Sequence, residues 1–133
     1  MKIMIVSGKR KMAVAKARIR EGTGKVSYNG VPHSDLRLFH RLALSEPMEI
    51  CKKVLGKFDF DLDVHVKGGG TEGQIQAARL AIAKALVKFT ESPELRKAIV
   101  AYDRNMLIAD TRRKEAYKPG DSKARAMRQS SKR

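Results

Sequence analysis

Gly68, Gly70 and Gly73, in the stretch GGGTEGQIQAAR (residues 68–79), stand at the spacing G-x-G-x-x-G. That spacing marks turns where a strand passes into a helix and the backbone closes on a pyrophosphate, so the first chemistry to weigh is cofactor binding by an oxidoreductase. A second arrangement is the row Asp59, Asp61 and Asp63, three carboxylates at alternate positions like the start of a calcium loop. Such a loop needs glycine at its sixth position and glutamate at its twelfth. Val64 and Gly70 stand there instead. His33, His40 and His65 share no ligand spacing, and a single cysteine argues against a zinc site, so no metal is expected. Cys51 cannot close an internal disulfide, and in MEICKKVL it falls on the apolar side of a helix, where a thiol is an inert core group. The chain has no G-x-S-x-G or comparable nucleophile signature.

The remaining chemistry is cationic. Net charge is +15 over 133 residues, and its placement says more than its size. Residues 1–20 carry seven Lys or Arg and no acid; residues 112–133 carry nine against Glu115 and Asp121; the span between holds thirteen basic and twelve acidic residues. A neutral body with basic ends points to a polyanionic partner, nucleic acid ahead of an acidic membrane surface. A hydrophobic content of 42% supports one compact domain, expected over residues 1–111, with 112–133 as a basic tail. No run of about 18 apolar residues is present, and the apolar start of MKIMIVSGKRKM is too short for a secretory signal, so a soluble cytoplasmic protein without a membrane partner is expected.

These groups need elements to hold them. IMIV leading into SGKRK reads as a strand entering a basic turn, and AVAKARIR alternates, with Ala13, Ala15, Ala17 and Ile19 on one face and Lys16, Arg18 and Arg20 on the other. GTGKVSYNG reads as a short strand with Asn29-Gly30 as its breaker. From Ser34 to Leu55 the pattern is helical, in two pieces parted near Pro47 and stopped by Gly56. In FDFDLDVHVKG, Phe58, Phe60, Leu62, Val64 and Val66 share a face opposed by Asp59, Asp61, Asp63, His65 and Lys67; that acidic row is expected to be a solvated or an RNA-distal sheet face. A helix over Thr71–Thr90 carries the stripe Ile75, Ala78, Ile82, Leu86 and Phe89, with Gln76, Arg79, Lys84 and Lys88 away from it, and Thr71 with Gln74 fits a capping box. Ser92-Pro93 then starts another helix bearing Leu95, Ile99 and Val100.

This order of elements decides against the cofactor. A dinucleotide fold requires a second strand after the glycine helix, ending in an acidic residue about 20 positions on. Here a second helix follows, and Glu91 and Glu94 lie in the turn between the two. The phosphate-loop pattern also fails, because Gln74 stands where lysine is required. The glycines are read instead as sites of close backbone approach, with an anion at the helix start left open, and no small-molecule substrate or cofactor is expected.

The segment GGGTEGQIQAARLAIAKAL (68–86), with Gly68, Gly69, Gly70, Gly73, Gln74 and Lys84, closely resembles the signature of the family of the ninth protein of the small ribosomal subunit. SGKRKMAVAKARIREGTGKVSYNG (7–30) resembles that family's opening, and the basic end Ser131-Lys132-Arg133 resembles its ending. The tail DTRRKEAYKPGDSKARAMRQSSKR looks more like the archaeal and eukaryotic branch than the bacterial one. The resemblance implies an α+β, two-layer fold: a sheet of about four strands with helices on one face, like the second domain of the fifth small-subunit ribosomal protein, followed by an extended basic tail. It implies a non-enzymatic constituent of the cytoplasmic ribosome, placed on the 3′ major (head) domain of the small-subunit ribosomal RNA beside neighbouring proteins of the head, with the tail end reaching peptidyl-site transfer RNA. Carried over residue by residue, Lys9, Arg10, Lys11, Lys16 and Arg18 would meet ribosomal RNA, as would Arg112, Arg113, Lys114, Lys123, Arg125 and Arg128 along the tail, and Lys132 and Arg133 would approach transfer RNA. Charge alone equally permits a free-standing RNA-binding or RNA-chaperone module.

Overall fold

Alternation in the first twenty residues becomes a hairpin in the computed structural model, which describes residues 2–108. The tail expected over 112–133, with every site residue assigned to it, lies outside the described residues. Strand β1 (Ile3–Arg10) pairs antiparallel with β2 (Ala13–Glu21), from Ile3 opposite Arg20 to Arg10 opposite Ala13. The ladder thus runs through Ser7–Arg10, and the basic turn expected over SGKRK shrinks to Lys11-Met12, with Lys11 in the left-handed region at φ 54°. Ala13, Ala15, Ala17 and Ile19 are all buried.

Strands β3 (Val26–Tyr28) and β4 (Val31–Pro32) are joined by Asn29-Gly30, both at positive φ, as a two-residue hairpin of this kind requires. Asn-Gly therefore folds the chain back on itself where a break was expected. After a 3-10 turn at His33–Asp35 comes helix α1 (Leu38–Leu55), ended by Gly56 at φ 79°. α1 is one helix, against the two pieces expected from Pro47. Proline removes one N–H from the helical ladder and normally breaks it. Here Pro47 is buried beside Leu44, Met48 and Cys51 in the core, and tertiary packing outweighs the lost bond.

Strand β5 (Phe60–Lys67) inserts between β2 and β3, giving the order β1-β2-β5-β3-β4. Every pairing is antiparallel except β3 with β5, and α1 supplies the crossover a parallel pair demands. The α+β reading with about four strands holds, with the two-residue β4 as a fifth. Helix α2 (Thr71–Thr90) lies across β1 and β2; α1 packs against α2, and α3 (Pro93–Tyr102) against α1. Ala77, Ala81, Ala83 and Ala85 of α2 are buried beyond the expected stripe, because the helix has strands on one side and helices on the other. Gly8 marks the closest approach: a Cβ there would stand 2.6 Å from the Ala77 carbonyl oxygen and 2.7 Å from the Ala81 nitrogen. Ser92 caps α3 by accepting from the Leu95 N–H, with Pro93 at its first position; Leu95 and Ile99 are buried and Val100 is exposed.

Candidate nucleic-acid interface

The helices leave the other face of the sheet open, and strand register places the charges on it. Lys9 stands opposite Val14, and Val14 opposite Lys67; the next row is Ser7, Lys16 and His65; then Ile5, Arg18, Asp63 and Ser27; then Ile3, Arg20 and Asp61. Lys9, Lys16, Arg18, His65 and Lys67 are exposed, as is Lys11 at the tip of the turn. Arg10 departs from the set it was read with. Alternation along β1 turns it to the helix side with Met4, Val6 and Gly8, where it is half-buried. Of the acidic row, Asp61 and Asp63 share the face of Lys16 and Arg18, at its far end, while Asp59 precedes β5.

Asp61 has local work. Its Oδ1 accepts from the Thr23 and Lys25 N–H groups at 3.1 Å each, and Arg20 lies 3.7 Å away. The Lys25 N–H foremost, then those of Thr23 and Gly24 and the Arg20 charge, hold its carboxyl below the usual carboxylate range despite the opposing effect of burial. Asp63 accepts from the Ser27 hydroxyl at 2.8 Å. No group of three or more His, Cys, Asp or Glu among the described residues could hold a metal ion.

The glycine run packs against the basic turn. Gly68 (φ 81°) has room for no side chain, since a Cβ would stand 2.6 Å from the Met12 carbonyl oxygen; Gly69 (φ 68°) lies similarly against Ala13. The β5–α2 connection is thereby pressed onto the β1–β2 turn, which brings Lys67 to the side of Lys9 and Lys11. Gly70 is the N-cap of α2, with no side-chain cap, and Thr71 is already helical. The expected capping box is therefore absent: Gln74 instead donates from Nε2 to the Gly68 carbonyl at 3.2 Å, closing the glycine turn. Lys84 donates to the Ser7 carbonyl at 3.1 Å, covering part of the outer edge of β1. These motif residues shape the scaffold under the basic face.

Two features were missed in the sequence. Lys67 and His65 join the basic group only through the β2–β5 register, although their alternation with Val64 and Val66 was visible. Arg79, read as lying away from the apolar stripe, has a side chain only 13% exposed; its Nε donates to Glu46 of α1 at 2.8 Å and an Nη to Asp103 after α3 at 3.1 Å. Its signal was its place between Ala78 and Leu80, both buried.

Residues 8–133 match the model of the family described as ribosomal protein S9/S16. The chain belongs to the ribosomal protein S9/S16 family. Among its relatives in that family, the small ribosomal subunit protein uS9 of Methanococcus vannielii is 41% identical over 98% of both chains, and that of Methanococcus maripaludis strain C5 is 40% identical over the same shares. Membership covers the glycine run, the basic hairpin from Gly8 onward and the tail together.

Proposed function

We propose that this protein is a structural constituent of the small ribosomal subunit, acting in translation within the cytoplasmic ribosome. It binds the 3′ major (head) domain of the ribosomal RNA beside neighbouring head proteins, and its C-terminal tail reaches transfer RNA in the peptidyl site. The observation that carries this reading is the match to small-subunit relatives over 98% of both chains, joined to an open sheet face whose turn end is basic. Phosphates neutralised by Lys9, Lys11 and Lys16, with Arg18 at the margin, supply binding without reading bases. Arg10 contributes from the helix side of the turn. Along the tail, Arg112, Arg113, Lys114, Lys123, Arg125 and Arg128 continue the contact with ribosomal RNA, and Lys132 and Arg133 meet the backbone common to all transfer RNAs. The role is one of binding and placement, with no catalytic step.

The test is chemical footprinting of small-subunit ribosomal RNA with and without the protein, paired with sedimentation of native subunits at high salt. Protection confined to the head domain and retention on the subunit are expected. Scattered protection, with release of the protein at high salt, would instead indicate a free-standing RNA-binding module.

A further inference from the structure

We propose that the open sheet face is electrostatically divided, so that the ribosomal RNA backbone crosses it only at the hairpin-turn end, on Lys9, Lys11, Lys16 and Lys67, and is kept off the end that carries Asp61 and Asp63. The footprint gains Lys67, which no motif assigns to RNA, and ends at Arg18. It rests on the RNA-binding role proposed above.

Register carries the argument. The two rows nearest the turn, Lys9-Val14-Lys67 and Ser7-Lys16-His65, hold three cations and no acid. In the two rows beyond, each arginine faces an aspartate: Arg18 opposite Asp63, and Arg20 opposite and within 3.7 Å of Asp61. The sum of charge is +3 in the first half and zero in the second, with His65 neutral. Neighbouring strands lie about 4.8 Å apart, so Lys9 and Lys67, two strands apart in one row, are separated by about 9–10 Å, and Lys16 stands one row up, about 7 Å along the strand. Lys11 extends the group beyond the turn, and the Gly68–Met12 contact keeps Lys67 beside it. Flexible lysine arms on such a triangle suit successive phosphates of one strand. A phosphate over the second half meets two fixed carboxylates whose charges the arginines only cancel, so no counterion release is gained there.

The experiment uses the full-length chain and a transcript of the 3′ major domain of small-subunit ribosomal RNA, with affinity measured at several salt concentrations. Lys67→Gln is expected to weaken binding about 3- to 10-fold and to reduce the slope of log K against log salt by roughly 0.7–0.9, like Lys16→Gln. The charge-balanced double Arg20→Gln with Asp61→Asn is expected to stay within twofold of the parent with an unaltered slope. Thermal melts followed by circular dichroism establish that each variant is folded. If Lys16→Gln weakens binding and Lys67→Gln does not, or if the double lowers the slope, the divided footprint is wrong while the RNA-binding role stands. If neither Lys16→Gln nor Lys67→Gln changes affinity or slope, the sheet face is not an RNA surface, and the divided footprint falls together with the assignment of RNA contacts to that face.

Discussion

Replacing Arg79 by methionine tests whether one arginine ties the helices together. The guanidinium donates to Glu46 on α1 and to Asp103 at the end of α3, from a side chain 13% exposed, while the two carboxylate side chains are 34% and 35% exposed. Two charge-assisted hydrogen bonds represent about 1.5–3 kcal/mol each. Truncating one partner of a fully buried ion pair costs about 3–5 kcal/mol. Here both carboxylates keep a third of their surface in water and rehydrate once released, and methionine retains the apolar stem, so the expected loss is about 2–3 kcal/mol. With a urea slope of about 1.5 kcal/mol/M, the unfolding midpoint should fall by about 1.3–2 M. Arg79→Lys should recover only part of this, because an ammonium cannot span both acids with a planar fork. Glu46→Gln, which spares the Asp103 contact, should cost about 1 kcal/mol and couple non-additively with Arg79→Met. A midpoint for Arg79→Met within 0.3 M of the parent's (about 0.5 kcal/mol at that slope), or strict additivity with Glu46→Gln, would refute the reasoning.

Gly8→Ala drives a methyl into the Ala77 carbonyl and the Ala81 nitrogen, both backbone, so α2 must lift from β1; a loss of about 2–3 kcal/mol is expected in the same urea assay, and a loss under 0.5 kcal/mol would mean that the helix moves freely. Burial pushes the Cys51 thiol up to about 11, so it should resist a thiol reagent at pH 8 in the folded protein and react at once in urea; a raised acid pKa means that its contribution is full below the unfolded value of about 8.5 and fades as pH rises toward 11. The Asp61 carboxyl is held low, so it stabilises the fold above about pH 3.9, the unfolded value, and that contribution vanishes as pH falls through its lower folded value. Urea midpoints from pH 5 to pH 2 should therefore decline less steeply for Asp61→Asn than for the parent. Deleting Ser130–Arg133 should leave subunit incorporation intact and weaken peptidyl-site transfer RNA by about 1–3 kcal/mol, read as affinity of purified subunits at two salt concentrations; unchanged affinity would separate the tail end from transfer RNA.

Period and punctuation were enough to place β2, β5, α2 and α3, since alternation of Ala13 through Ile19, alternation of Phe60 through Val66, the apolar stripe of Thr71–Thr90 and the Ser92-Pro93 start are local signals that packing did not override; β1 was legible only as IMIV, because its pairing with β2 carries it on to Arg10. The exclusion of a dinucleotide site was local as well, resting on which element follows the glycines. Pro47 shows the limit of such reasoning. A lone helix would break there, but the burial that holds α1 together comes from residues far away in the chain. The cap of α2 shows it again, because the choice between Gly70 and Thr71 depends on how the glycine turn lies against Met12 and Ala13.

What the chain determined by itself was its inventory: a basic hairpin, an alternating acidic strand, a glycine run before a long helix, and a family signature. Which charges share a surface was decided only by the tertiary structure, because β5 inserts between β2 and β3 and pairs with β2 in a register set by residues some fifty positions apart. That register put Asp61 and Asp63 at the far boundary of the basic face and placed Lys67 in one row with Lys9, while the packing of α2 against α1 and α3 left Arg79 half-buried between Glu46 and Asp103. Period 2 tells which side chains share a face of one strand, whereas the neighbour across the ladder depends on which strand arrives there and in what alignment.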